Sequence, residues 1–341
     1  MKIAELIRPG VIEFRDVDVP RPGPGELVIR VDATLTCGTD LKTFERGHAK
    51  LPMPLALGHE TAGTIVAVGK GVAPFREGDP IACVPTAPCG ECRLCTRGRD
   101  SLCAAAVGRF MLGAFAEYVR VPAHIVRENV FLRAPHVSAR EAAALEPLSC
   151  VVHGSQRIDL QNADTVVIIG DGAIALMFAQ VARLQSSGSI LLAGKHEARL
   201  EIARRLDFGN VINVAETGLQ DPVMEWTGGK GADVVVECVG RPDVWESAAT
   251  LAGTAAEVLL FGGCAAGTRA SFDTYRIHYD EVDIKGAFHY GRADVRAAWD
   301  LLRDRLVDVA ALITHELPLS RLLDALELAR SRTAVKVAVA P

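Results

Sequence analysis

The sequence predicts an α/β chain: a β-rich domain with a doubly wound parallel-sheet domain inserted into it. Three observations carry that prediction. Residues 1–35 and 55–84 alternate short apolar runs with Gly/Pro loops, six short apolar runs recur after about residue 164 with helical patterns between them, and the chain then closes on helices and a last strand. A length of 341 residues leaves room for two domains with substantial cores.

Taken in order, Leu27–Val31 reads as a strand after the loop PRPGPGE, and ETAGTIVAVG and EGDPIACV read as short strands cut by glycine, as in antiparallel β-structure. The later apolar runs are Val166–Ile169, Ile190–Ala193, Val211–Val214, Val234–Val236, Val258–Phe261 and, more weakly, Ile284–Phe288. Between the first three lie AIALMFAQVARLQ and EARLEIARRL, both with helical spacing. Buried strands alternating with amphipathic helices belong to a parallel sheet covered on both faces, and six strands suit a dinucleotide-binding fold. DVRAAWDLLRD and SRLLDALELARS read as helices, and AVKVAVA as the closing strand. The expected boundaries are 1–148 with 290–341 for the β-rich domain and 149–289 for the inserted one.

Composition excludes several classes. With 49% hydrophobic residues, 23% charged residues and a net charge of −5, nothing marks a polyanion partner, and no Lys/Arg run forms a nucleic-acid footprint. No stretch reaches the roughly 18 uninterrupted apolar residues of a membrane span, and MKIAELIRPG lacks the apolar core of a signal peptide. A cytoplasmic protein acting on a small molecule is expected. In that reducing compartment the nine cysteines point to metal binding or catalysis before disulfides.

Residues 89–103, CGECRLCTRGRDSLC, set Cys89, Cys92, Cys95 and Cys103 at C-x2-C-x2-C-x7-C. That spacing suits a tetrahedral zinc held by four thiolates. Free clustered cysteines and an iron–sulfur cluster are the alternatives, but the common bacterial cluster spacing ends in proline and here Ala104 follows. Four protein ligands leave no place for substrate, so this zinc would be structural. A second set is scattered: Cys37 in TCGTD, His59 and Glu60 in GHE, and Glu146 in EP. One thiolate, one imidazole and one carboxylate with an open position are what a catalytic zinc requires.

On these residues the sequence resembles the zinc-dependent medium-chain alcohol dehydrogenase family, and within it the sorbitol (polyol) dehydrogenase branch. The resemblance covers essentially the whole chain. It is carried by CGTD at 37–40, GHETAG at 58–63, GVAPFREGD at 71–79, the four-cysteine lobe, GAFAEY at 113–118, EPLSCVVHG at 146–154, the glycine turn at 170–175 and FGG at 261–263. It implies a GroES-like catalytic domain, a Rossmann coenzyme domain, and two zinc ions per chain. Cys37, His59 and Glu60 would hold the catalytic zinc, with Glu146 bonding its water or replacing it. Thr39 matches the hydroxyl that relays the alcohol proton, and Asp40 the carboxylate that orients the zinc histidine; an ordinary Asx/ST turn is the plainer reading of both. The resemblance also implies a homodimer or homotetramer paired through sheet edges.

Three positions depart from the family pattern. Lys42 stands where many relatives carry the histidine that ends the proton relay, so the relay would run through Thr39 and ribose to Lys42 or water, or through Glu146. Thr43 replaces a tyrosine, and His289 replaces an arginine, at positions that contact polyols in relatives; sorbitol itself is therefore in doubt as substrate.

TVVIIGDGAIA places Gly170 and Gly172 between strand and helix with Ala175 third, a turn that lets pyrophosphate approach a helix N-terminus. Where NAD enzymes of the pattern carry an aspartate at the end of the next strand, this chain has Gly194, followed by Lys195 and Arg199. A carboxylate would repel a 2′-phosphate, whereas a glycine flanked by cations attracts one. NADP(H) is therefore expected ahead of NAD(H), and Gly194→Asp is expected to reverse the preference. A solvated helix start is the plain reading of Lys195, His196 and Arg199.

The expected activity is interconversion of a secondary alcohol or polyol with its ketone. An L-threonine 3-dehydrogenase-like or amino-cyclitol activity is the runner-up, and an idle NADPH-binding structural protein stands further off, because the ligand set Cys37, His59 and Glu60 is intact.

Overall fold

The computed structural model describes residues 1–48 and 51–341. The chain forms two compact units, Met1–Ser149 with Tyr290–Pro341, and Cys150–His289.

In the first unit, β1 (Lys2–Arg8), β2 (Val11–Asp16) and β4 (Leu55–Ala56) make a small antiparallel sheet. The main sheet runs β15 (Ile313–Pro318), β16 (Lys336–Ala340), β3 (Leu27–Leu35), β5 (Glu60–Val68), β6 (Pro80–Cys83) and β8 (Val130–Leu132), with β7 (Tyr118–Val121) also paired to β3. β3 and β5 are the longest members, nine residues each, and both are largely buried. Leu27, Ile29, Val31, Ile65, Ile81 and Ile125 form one core of this unit; Leu6, Phe115, Leu322, Leu326, Val337 and Val339 form another.

Register at one end of this sheet sets up the chemistry. β3 and β5 are antiparallel, with Leu35 opposite Glu60, so the chain leaving β3 toward Cys37 lies beside the chain entering β5 through His59. β16 pairs antiparallel with β3 at Ala338 and Leu35, and Thr36 N–H donates to the Val337 carbonyl at 3.0 Å. Lys336, 300 residues from Thr36, is thereby brought to the same end.

In the second unit six strands lie parallel in the order β11 (Asn210–Asn213), β10 (Ser189–Gly194), β9 (Thr165–Ile169), β12 (Ala232–Glu237), β13 (Ala252–Leu260), β14 (Asp283–Gly286). This is the doubly wound order, which reverses direction beside β9 and so opens a crevice at the carboxyl ends of β9 and β12. Val167, Ile169, Leu191, Val235, Val258 and Leu260 fill the core beneath one face. Each predicted strand is present, with shifted ends. β13 begins six residues before the apolar run, because AGTAAE carries little hydrophobic signal although Ala252 and Glu257 pair with Ala232 and Val234 of β12 across an irregularity. Val214 leaves the strand to open a short helix, Val214–Thr217, capped by the Asn213 side chain.

Gly63, midway along β5, shows how closely β3 and β5 approach: a Cβ there would lie 2.2 Å from the Arg30 carbonyl oxygen. Gly63→Ala must part the two strands that position the site, which corresponds to a loss of roughly 1–3 kcal/mol. The check is the urea midpoint; an unchanged midpoint would show that the sheet yields freely.

Candidate active site

Cys37 is the N-cap of helix Gly38–Arg46, and Asp40 closes a capping box by accepting the Cys37 N–H at 3.2 Å. The other Asp40 oxygen accepts from Gly58 N–H at 3.3 Å and lies 3.3 Å from His59 Nδ1. One buried carboxylate thus fixes both the turn that carries the thiol and the ring that faces it. Gly58 can only be glycine: its φ is +92° and a Cβ would meet Phe115 N at 2.6 Å. Ligand atoms of Cys37, His59 and Glu60 lie within 4.8 Å of one another. Burial works against a charged His59, but the Asp40 carboxylate and the Cys37 sulfur outweigh it and raise its pKa well above the usual value. Surroundings that favour a proton there also favour a dication, and the soft and hard donors together suit zinc.

Glu60 is wholly buried and Lys336 is 6% exposed. Lys336 Nζ donates to both Glu60 oxygens, with Oε1 at 2.5 Å, and to the Thr36 carbonyl at 3.0 Å, which uses all three of its N–H donors. Burial, countered by the Lys336 cation and reinforced by the nearby Glu146 charge, lifts Glu60 to about 7. Burial also opposes the charge on Lys336, but Glu60 and Cys37 outweigh it and raise its pKa. Glu146 sits in the first turn of helix Leu145–Ser155 and is buried. Thr39 and Lys42 lie exposed on helix Gly38–Arg46, and Thr39 N–H donates to Cys37 Sγ at 3.4 Å. Thr43, expected as a substrate contact, is buried and offers little surface to one. His289, the other expected contact, is half-buried with a left-handed backbone, φ +59°.

The four cysteines of the lobe are free thiols whose sulfurs lie 3.6 Å (Cys92–Cys95), 3.6 Å (Cys89–Cys103) and 4.0 Å (Cys92–Cys103) apart. Four sulfurs at zinc–thiolate bond length on a tetrahedron stand about 3.8 Å apart, so the lobe fits that ion. Burial disfavours the Cys103 thiolate, but N–H groups of Cys89 and Ala106 and the neighbouring sulfurs prevail and lower its pKa to about 6. Beyond the cysteines the lobe's own core, among the described residues, is Ala106 with Ala105 beside it. Arg292 ties it to helix Arg292–Arg303 through Asp100 at 2.9 Å.

In the second unit, Gly170 (φ +133°) ends β9 and Gly172 caps helix Ala173–Gln185. A Cβ on Gly170 would lie 3.4 Å from the Ala175 Cβ, so a larger side chain at 175 would press on the turn. The expectations about 194–199 need correction. Arg199 is 4% exposed and turned onto Asp171, with 3.6 Å between Nη1 and Oδ1, so it is not an outward-facing phosphate ligand. Gly194 has no room for the proposed aspartate, because a Cβ there would meet Asp171 Cβ at 2.6 Å and Leu200 Cδ2 at 2.7 Å. Gly194→Asp would disturb the turn before it tested the cofactor. Lys195 remains exposed.

With this geometry the comparisons with known proteins agree. Residues 23–129 match the alcohol dehydrogenase GroES-like domain and residues 173–304 the zinc-binding dehydrogenase domain. A sorbitol dehydrogenase of Halalkalibacterium halodurans is 33% identical over 352 aligned residues, covering 100% of this chain and 99% of that protein. The chain belongs to the zinc-binding medium-chain dehydrogenases. This dehydrogenase is an oxidoreductase of the sorbitol-dehydrogenase-like branch. It is also 32% identical to an L-threonine 3-dehydrogenase of Saccharopolyspora erythraea, over 96% of this chain and 94% of that one. A zinc-binding dehydrogenase from Sinorhizobium meliloti 1021, solved bound to NADP, matches with a TM-score of 0.89 at 29% identity, covering 100% of this chain and 99% of that one.

Sequence reasoning missed two residues of the dehydrogenase. Lys336 was a lone charge in the apolar strand AVKVAVA, and Asp171 a lone charge between the glycines of GDG. In each case the signal was a charge where the pattern calls for none. Removing only Lys336 leaves Glu60 buried without its counter-charge, so Lys336→Met should cost roughly 3–5 kcal/mol in denaturant unfolding, and Lys336→Met with Glu60→Gln should recover most of it. Equal stability of Lys336→Met and wild type would show that the pair contributes nothing.

Proposed function

We propose that this dehydrogenase interconverts a secondary alcohol or polyol with its ketone, using NADP(H) and two zinc ions per chain, one catalytic and one structural. The observation that carries the proposal is the convergence of a thiol, an imidazole and a carboxylate in the first unit, at Cys37, His59 and Glu60. Cys37 and His59 would hold the catalytic ion together with carboxylate from Glu60 or Glu146. Of these, Glu60 is already neutralised by Lys336, and Glu146 is the other carboxylate whose charge the pair feels. When bound, the zinc would supply Lewis acidity that eases loss of the alcohol proton, and the nicotinamide would supply the hydride acceptor or donor for the carbinol carbon.

The chain's own residues take the remaining tasks. Asp40 keeps His59 in one orientation, which leaves Nε2 as the ring atom for the metal. Thr39 Oγ1 would accept the alcohol proton as it releases its own to water on the exposed side of helix Gly38–Arg46, where Lys42 also lies. The turn Gly170–Gly172 receives the pyrophosphate at the N-terminus of helix Ala173–Gln185. Gly194 adds no acidic side chain at the strand end and the exposed Lys195 supplies positive charge for a 2′-phosphate, in line with the NADP-bound relative from Sinorhizobium meliloti. The four-cysteine lobe holds the structural ion. No helix among the described residues is long and apolar enough to cross a membrane, and reduced thiols suit the cytoplasm. β14, at the end of its sheet, offers an edge for pairing with a second copy.

The similarity to an L-threonine 3-dehydrogenase favours one other substrate class, β-hydroxy amino acids, which present the same secondary alcohol. The test is a panel of polyols, simple secondary alcohols, L-threonine and the matching ketones, run with NADP(H) and NAD(H) alongside zinc analysis. Turnover of no secondary alcohol, or zinc well under two ions per chain, would overturn the proposal. Cys37→Ser should lower kcat/KM at least about a hundredfold with the fold intact, whereas Cys95→Ser should lower the thermal midpoint. The opposite pattern would exchange the roles assigned to the two zinc sites.

A further inference from the structure

Asp171 lies inside the glycine turn that follows β9, and none of the steps above uses it. It is 7% exposed. Its Oδ2 accepts the backbone N–H groups of Lys195 and His196 at 2.8 and 2.9 Å and lies 2.8 Å from His196 Nδ1, while Oδ1 lies 3.6 Å from Arg199 Nη1. These contacts carry the carboxylate across to the end of β10, where a side chain from position 194 would otherwise lie: a Cβ on Gly194 would come within 2.9 Å of Asp171 Oδ2. Doubly wound folds that bind NAD commonly place an acidic residue at that strand end, on the adenosine-ribose hydroxyls. Here an acidic group reaches the same place from the other loop, but it is spent on backbone N–H groups and a buried guanidinium.

The charges decide what that turn accepts. A free carboxylate beside the ribose repels a 2′-phosphate, and like charges brought together at a binding surface are strongly disfavoured. Arg199, buried beneath Asp171 at 3.6 Å, is its permanent counter-charge, since the closer His196 ring offsets the carboxylate only when protonated, while the Lys195 side chain stays exposed. The geometry points to the Asp171–Arg199 pair as the determinant of cofactor choice, with Arg199 a positioning residue that silences the Asp171 carboxylate so that the 194–196 turn admits a 2′-phosphorylated dinucleotide. This rests on the reading that the dehydrogenase prefers NADP(H).

The test measures dissociation constants for NADPH and NADH by nicotinamide fluorescence, with full-length wild type, Arg199→Leu, Asp171→Asn and the double variant. Wild type should bind NADPH more tightly. Arg199→Leu should shift the NADPH:NADH affinity ratio toward NADH by about tenfold or more, and adding Asp171→Asn should restore it, since no charge remains to expose. Equal weakening toward both dinucleotides would mean a merely structural role and would overturn the inference while leaving the cofactor reading intact. If Arg199→Leu fails to fold, Asp171→Asn alone decides: its ratio should move toward NADPH, and an unchanged ratio or a move toward NADH overturns the inference. Wild type that prefers NADH, or binds neither dinucleotide, overturns both readings.

Discussion

Lys336 carries its charge to the buried end of β16, where it meets Glu60 on β5 and the carbonyl at the end of β3. Desolvating two ions is costly, and the pair persists only because every ammonium donor finds an acceptor in close geometry. In return, three strands far apart in the chain are pinned at the one end where Cys37 and His59 emerge. Thr36 binds the same strand from the other direction, accepting the Val337 N–H on its hydroxyl at 3.1 Å. The arrangement also settles the electrostatics of the site. Thiol, imidazole and two carboxylates gather there, and Lys336 offsets part of their negative charge without occupying the ligand position.

Asp40 extends this economy of side chains. Its two oxygens serve the N-cap of Cys37 on one side, and Gly58 N–H and His59 on the other. The turn reading and the histidine-orienting reading of this residue are therefore the same interaction seen from two ends. A helix cap places the thiol, and the remaining lone pairs place the ring. The lobe at 89–103 solves a different problem. With little apolar core among the described residues, it depends on four sulfurs already spaced for a single ion and on the Arg292–Asp100 pair that holds it to the closing segment of the chain.

In the second unit, position 194 illustrates a limit of reading a motif one residue at a time. Gly194 does mark an unusual strand end, but the reason is steric as well as electrostatic, because Asp171 fills the space beside it. Arg199 follows the same logic. Near Lys195 in sequence it resembles one more cation of a solvated helix start, yet a single helical turn rotates it inward onto Asp171.

Local rules sufficed for much of this protein. Alternating apolar runs and helical spacing determined the six parallel strands and the class of fold, because a buried strand needs its hydrophobic residues in one short segment. The cysteine spacing determined the lobe, because all four ligands lie within one loop. The Cys37, His59 and Glu60 set was also legible, since two adjacent residues and a short capped turn carry it. What tertiary structure alone decided were the partners of single buried charges: Lys336 for Glu60, 276 residues away, and Asp171 for Arg199 and the turn after β10. A charge buried in the interior must be met by another, and which one it meets depends on strand register and loop packing that no local pattern records.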